Sequence, residues 1–166
     1  VRIEDLNTPN RLAEHFLNQL VSTFDADLVQ LTMVQQASKT LRSLVKLGQD
    51  HAVEQIEFEA TAPILAAQVI EENRGIRTGN YLQGGEGLSC RLMDAEEFKS
   101  YNGIPLSVDS VAIGSLGLMS QRLYAWSPEQ IHLLNKIADM ALSVIQHNSK
   151  STTVQQLKAV KTQTKS

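Results

Sequence analysis

The sequence contains a single cysteine, Cys90. One thiol allows no internal disulfide framework and no zinc site built on thiolates alone. That usage fits a reducing compartment, and a cytoplasmic location is expected. No apolar run approaches the roughly 18 residues of a membrane span, and the chain does not open with a basic segment followed by an apolar one, as a secretory leader does. No membrane partner is therefore expected. Positive charge is not in excess: 15 Lys and Arg against 18 Asp and Glu leave a formal net charge of -3. A general nucleic-acid binder shows a basic face, so no nucleic-acid partner is expected either. The 4 histidines include no metal-ligand spacing such as His-Glu-x-x-His. His15 and His132 sit beside apolar stripes and read as structural or surface residues, and His147 lacks the Glu-Leu-Arg-Thr-Pro context of a kinase phosphoacceptor. There is no Gly-x-Ser-x-Gly elbow. Gly84-Gly85-Glu86-Gly87 lacks the Gly-Lys-Ser/Thr that holds phosphate and magnesium. A stand-alone enzyme needs a nucleophile–base or metal constellation, and none is visible.

At 166 residues, 42% hydrophobic and 20% charged, the chain is one domain's worth and long enough to bury a core. It begins at Val1 and ends in Lys-Thr-Gln-Thr-Lys-Ser, and is expected to be a segment of a longer protein. Thr8-Pro9 resembles a helix N-cap with proline at the first helical position. Leu12, Phe16, Leu17, Leu20, Val21 and Phe24 then recur at intervals of three and four, one stripe of an amphipathic helix. Leu28 to Val34 reads as a strand. Leu41, Ser43, Val45 and Leu47 alternate with Arg42 and Lys46, a half-buried second strand. Ile56, Phe58 and Ala60 alternate with Glu57 and Glu59 in a third. Pro63 to Asn73 reads as a helix stopped by Arg74-Gly75, and Ile76 to Leu82 as a fourth strand. Gln83 to Gly87 has three glycines in five positions and is expected to open at low cost. Asp94 to Glu97 suits one helical turn.

The most informative run is Phe98 to Ser120: two strands joined by a tight turn at Asp109-Ser110, followed by the helix start Ser127-Pro128-Glu129-Gln130. Ser127 with Gln130 three residues on forms a capping box. Gly103-Ile104-Pro105-Leu106, then Ile113-Gly114-Ser115-Leu116-Gly117-Leu118, then Trp126-Ser127-Pro128-Glu129 resembles the C-terminal half of a GAF domain. The order of elements follows that family over residues 8–147, leaving 1–7 as an N-terminal linker. The resemblance implies an α/β (α+β) fold: a central antiparallel sheet of about five to six strands, with N- and C-terminal helices on one face and a shorter helix on the other. One departure is Asp109-Ser110 where family members often carry Asp-Gly or Asn-Gly. Serine tolerates positive φ less well than glycine, so a turn of another type is expected.

The resemblance also implies a regulatory role. In one reading the domain binds a small molecule, of identity unknown, and relays its state through the C-terminal helix to a covalently linked output domain such as a sensor kinase, cyclase or transcription regulator. In the other it is a ligand-free dimerisation scaffold. The cofactor is unknown. Bilin-binding members carry a histidine directly after the attachment cysteine, whereas Cys90 is followed by Arg91, so no covalent bilin is expected. The Asn-Lys…Phe…Asp-Glu signature of the cyclic-nucleotide branch is absent, and one cysteine cannot complete the disulfide cycle of the methionine-sulfoxide reductase branch. In this fold the segment between the fourth and fifth strands covers the ligand side of the sheet, which implies Tyr81, Cys90, Arg91, Phe98 and Tyr101 as ligand-binding candidates. A neighbouring arginine favours the Cys90 thiolate, although a lone cysteine commonly serves as a small buried hydrophobe.

In the last helix, Ile131, Leu134, Ala138, Ala141 and Ile145 keep a seven-residue repeat, flanked by Leu133, Ile137, Met140 and Val144. This stripe is wider than one packing surface needs. A homodimer is expected through Leu12, Phe16, Leu133, Ile137, Met140 and Val144. Residues 148–166 carry no acid; Val154, Leu157 and Val160 keep helical spacing, so the tail reads either as the start of a signalling helix or as a polar linker.

Overall fold

Ala13, Phe16, Leu17, Leu20, Val21 and Phe24 are buried along one side of α1 (Arg11–Phe24), as the three-and-four spacing dictates. The computed structural model describes residues 11–61, 64–80 and 98–145. After α1 come β1 (Leu28–Gln35), β2 (Thr40–Lys46), β3 (Glu54–Glu59), α2 (Leu65–Glu72), β4 (Ile76–Thr78), β5 (Ser100–Val108) and β6 (Val111–Ser120). A last helix, α3, occupies residues 128–145. The strands form one antiparallel sheet in the order β3-β2-β1-β6-β5-β4. First and last long strands are thus central neighbours, and the α/β architecture is the one expected. Residues 1–7, the Gln83–Gly87 loop, the turn at 94–97, His147 and residues 148–166 lie outside the described residues.

Alternation along the strands splits the core into two layers. On one face Val29, Leu31, Leu44, Ile104, Leu106, Leu116 and Leu118 pack with α1 and with Trp126, Leu134, Ala141, Val144 and Ile145 of the α3 region. On the other, Leu28, Val45, Tyr101, Met119 and Phe98 pack with Leu65 and Val69 of α2. The terminal helices share a face and the short helix takes the other. Gly114 permits part of this: a Cβ there would lie 2.4 Å from the Thr32 carbonyl oxygen and 3.2 Å from Ile145.

Three local expectations change. Asp109 and Ser110 both adopt positive φ, 51° and 65°, so the hairpin is the primed kind after all; its twist matches the flanking strands. Asn73 supports it, donating from Nδ2 to the Ser110 carbonyl at 3.2 Å and accepting from Ser107 Oγ at 2.6 Å. The same Asn73, at φ 48°, is the left-handed C-cap of α2, so the helix stops there rather than at Arg74-Gly75; asparagine tolerates that conformation because its side chain bonds locally. The third change concerns the wide stripe on α3. Phe16 and Val144 are turned into the chain's own core and offer no surface to a partner. Ile137 is half-buried, whereas Leu12, Leu133 and Met140 are 45%, 41% and 54% exposed. The seven-residue repeat is satisfied by the sheet and α1, and only its flanks face outward.

Candidate functional site

The face of the sheet beneath α2 should be apolar, because it is buried. It carries instead a row of hydroxyls and an amide. Ser43 on β2 is opposite Thr32 on β1, and Thr32 is opposite Ser115 on β6. Gln30 is two residues before Thr32 on the same face, so it stands next to that row. All four are essentially inaccessible. Gln30 Nε2 donates to Ser43 Oγ at 3.0 Å, and the hydroxyls of Thr32 and Ser43 are 2.8 Å apart. Ser115 Oγ is buried and finds no hydrogen-bond partner among the described residues. An unsatisfied buried hydroxyl costs about 1–3 kcal/mol, so its persistence on an interior face calls for a reason.

The adjacent row is bare. Gln30 faces Gly117, and Gly117 faces Gly103 on β5. The missing side chains leave a shallow bay, filled by the ring of Tyr101: a Cβ on Gly103 would meet the Tyr101 hydroxyl oxygen at 2.1 Å, and one on Gly117 would lie 3.2 Å from the same ring and oxygen. Tyr101 is fully buried. Along β1, β2, β5 and β6 no charged side chain occupies this face. The chemistry on offer is hydrogen bonding from neutral groups beside one aromatic ring.

Of the expected ligand-binding residues, Tyr81, Cys90 and Arg91 lie outside the described residues. Phe98 and Tyr101 fall in one buried cluster under α2. Phe98 also lines an open cleft of about 300 Å³ with Asp27, Leu47, His51 and Gln121. Tyr101 borders another of about 200 Å³ with Arg77, Ser100, Tyr124 and Trp126. Gln30, Thr32, Ser43 and Ser115 were not foreseen as site residues. The signal was available for Ser43, a hydroxyl at an inward position of an otherwise apolar alternation. For the others only strand pairing shows that they meet.

The family model described as GAF domain matches residues 8–145. Among solved structures, the chain is similar to the GAF domain of a phosphoenolpyruvate-protein phosphotransferase from Coxiella burnetii, with a TM-score of 0.70 and 15% identity over 90% of each chain. It is also similar to a methyl-accepting chemotaxis protein, residues 122 to 287, with a TM-score of 0.66 and 15% identity over 82% of this chain and 87% of that one. A third is free methionine-R-sulfoxide reductase from Neisseria meningitidis in complex with its substrate: TM-score 0.63, 15% identity, 88% of this chain and 84% of that one. At these identities the likeness concerns the fold alone. Among curated proteins none matches the sequence.

Proposed function

The chain belongs to the GAF domain family, a regulatory fold of signalling proteins, and from that premise we propose that it is a sensory unit that takes a small molecule on the α2 face of its sheet. The observation that carries this reading is the buried polar row, with Ser115 Oγ lacking a partner among the described residues. A ligand group bonded to that hydroxyl offsets its desolvation, and the neutral lining favours an uncharged, hydrogen-bonding ligand over an ion. The bound state reaches an output domain through α3, which packs on the opposite face of the same strands. That route transmits a signal when the ligand binds two arrangements of the domain unequally.

Free methionine sulfoxide reductases share the fold, yet this chain has 1 cysteine, and a second thiol is needed to resolve the oxidised one as an intramolecular disulfide. The domain is therefore assigned a binding rather than a catalytic role. The scaffold reading retains one specific support, the exposure of Leu12, Leu133 and Met140 on the terminal helices, which fits a homodimer whether or not a ligand binds.

Thermal denaturation against a panel of neutral metabolites tests the sensor reading. A specific ligand at a hundredfold excess over its Kd stabilises the domain by about 2.7 kcal/mol, and Ser115→Ala should weaken that response while leaving the unliganded fold intact. A panel without a single saturable stabiliser, together with a dimer in solution, favours the scaffold.

A further inference from the structure

A buried cation with no carboxylate partner among the described residues lies on the side of the sheet away from the polar row. Lys46, the last residue of β2, is 6% exposed. Its Nζ donates to the carbonyl oxygens of Gln49, at 3.2 Å, and His51. An ammonium has three donors, so the described residues leave one over. Carbonyl dipoles solvate a charge without neutralising it, and buried charges are ordinarily paired. The ion pairs among the described residues are Arg42–Glu57, Arg74–Glu72 and Arg122–Asp25; Lys46 is in none of them.

Lys46 opens onto a cleft of about 310 Å³ between α1 and the segment joining β2 to β3, lined by Arg11, Glu14, His15, Asn18, Lys46 and Val53 among others. Arg11 makes no ion pair among the described residues. His15 is engaged with Gln19, Nε2 to Nε2 at 3.1 Å. Among the described residues, Lys46 and Arg11 thus face one acid, Glu14, which is tethered in the same cleft and pairs with neither. A carboxylate already present does not capture these cations, so a second monoanionic carboxylate gains little there. A group of higher charge, with oxygens in several directions, meets both a lysine and an arginine fork.

We infer that this cleft is a second binding site, for the phosphate group of a small molecule. Lys46 supplies the floor, Arg11 the fork at the rim and Asn18 a neutral donor. Occupation also couples two elements. The lysine holds the carbonyls of residues 49 and 51, and Gln49 Nε2 donates to Ser22 Oγ of α1 at 2.5 Å, so an anion bridging Lys46 and Arg11 fastens the β2–β3 connection to the first turns of α1. This site is independent of the α2 face and stands or falls separately.

The test is a titration of the whole chain with inorganic phosphate and, in parallel, glucose 6-phosphate, with sodium chloride holding ionic strength constant. It is read by thermal shift and by amide NMR shifts. The expected result is a saturable stabilisation with shifts concentrated in residues 11–18 and 46–53. Arg11→Gln, at an exposed position, should raise the Kd about tenfold, the worth of one charge-assisted hydrogen bond; Lys46→Met should raise it at least as much. Tighter binding of the sugar phosphate assigns the site to a phosphorylated metabolite, and tighter binding of inorganic phosphate assigns it to the free ion. A response matched by chloride, one that does not saturate, or an Arg11→Gln variant that titrates like the parent overturns the inference.

Discussion

The hydroxyl of Tyr101 lies 2.1 Å from where a Cβ on Gly103 would be built, and two ring carbons lie within 2.7 Å of it. Gly103→Ala should therefore cost about 1–3 kcal/mol, the usual range for overpacking a filled interior, measured by urea denaturation. Adding Tyr101→Phe should not relieve it, because the ring atoms clash as well as the oxygen. At the hairpin the opposite change is favourable. Ser110 holds φ at 65°, a conformation that costs an L side chain about 1–2 kcal/mol, and Ser110→Gly should stabilise by about 0.5–1 kcal/mol once the greater freedom of glycine in the unfolded chain is counted. The Asn73 bond to the carbonyl of residue 110 survives the substitution, since it uses no side-chain atom there. A lower midpoint for Ser110→Gly would show that the serine side chain contributes something other than strain.

Among the elements, α3 has the start its sequence announces. The Ser127 amide donates to Gln130 Oε1 at 2.9 Å, and the Gln130 amide donates to Ser127 Oγ at 3.2 Å, with proline between them at the first helical position. Just before the box, Trp126 Nε1 donates to the carbonyl of Phe24 at 2.8 Å, which joins the beginning of α3 to the end of α1. Ser127→Ala should cost about 1 kcal/mol, seen as a lower thermal midpoint without loss of cooperativity. The helix itself was legible from caps and periodicity. Which of its apolar residues face inward was not, because the ten apolar positions from Ile131 to Ile145 cover more circumference than any one neighbour. The sheet and α1 selected Leu134, Ala141, Val144 and Ile145 for the core.

For the molecule as a whole, Leu12, Leu133 and Met140 stand exposed on the terminal helices. Exposed leucine and methionine on two helices that share a sheet face fit a second copy of this chain, which would bury the same residues symmetrically about a two-fold axis. Leu133→Glu with Met140→Glu should give a folded monomer, read by light scattering at high micromolar concentration, because like charges then meet across the axis. Val144→Glu is a different experiment: it places a carboxylate in the core and should unfold the domain. If the parent chain scatters as a monomer, the homodimer is wrong and the exposed residues await another partner. Among the described residues no helix is long and apolar enough to cross a membrane.

Local chemistry determined which segments became helices and strands, where most of them stop, and the capping of α3, since caps, turns and periodicity depend on residues a few positions apart. The family resemblance rested on such short-range runs, mainly between Phe98 and Val144. Tertiary structure alone decided the candidate site. Ser43, Thr32 and Ser115 are far apart in sequence and become neighbours only when β2, β1 and β6 pair in register; no periodicity within one strand encodes that meeting. The bay under Tyr101 likewise needs Gly103 and Gly117 to be opposed across two strands. The charge on Lys46 reads as a solvent-facing residue in the β2 alternation, and its burial appears only when α1 and the β2–β3 connection close around it. Short-range pattern sets the elements because backbone preferences and caps act within a turn or two. Sites depend on the sheet because they collect side chains that only long-range pairing can bring together.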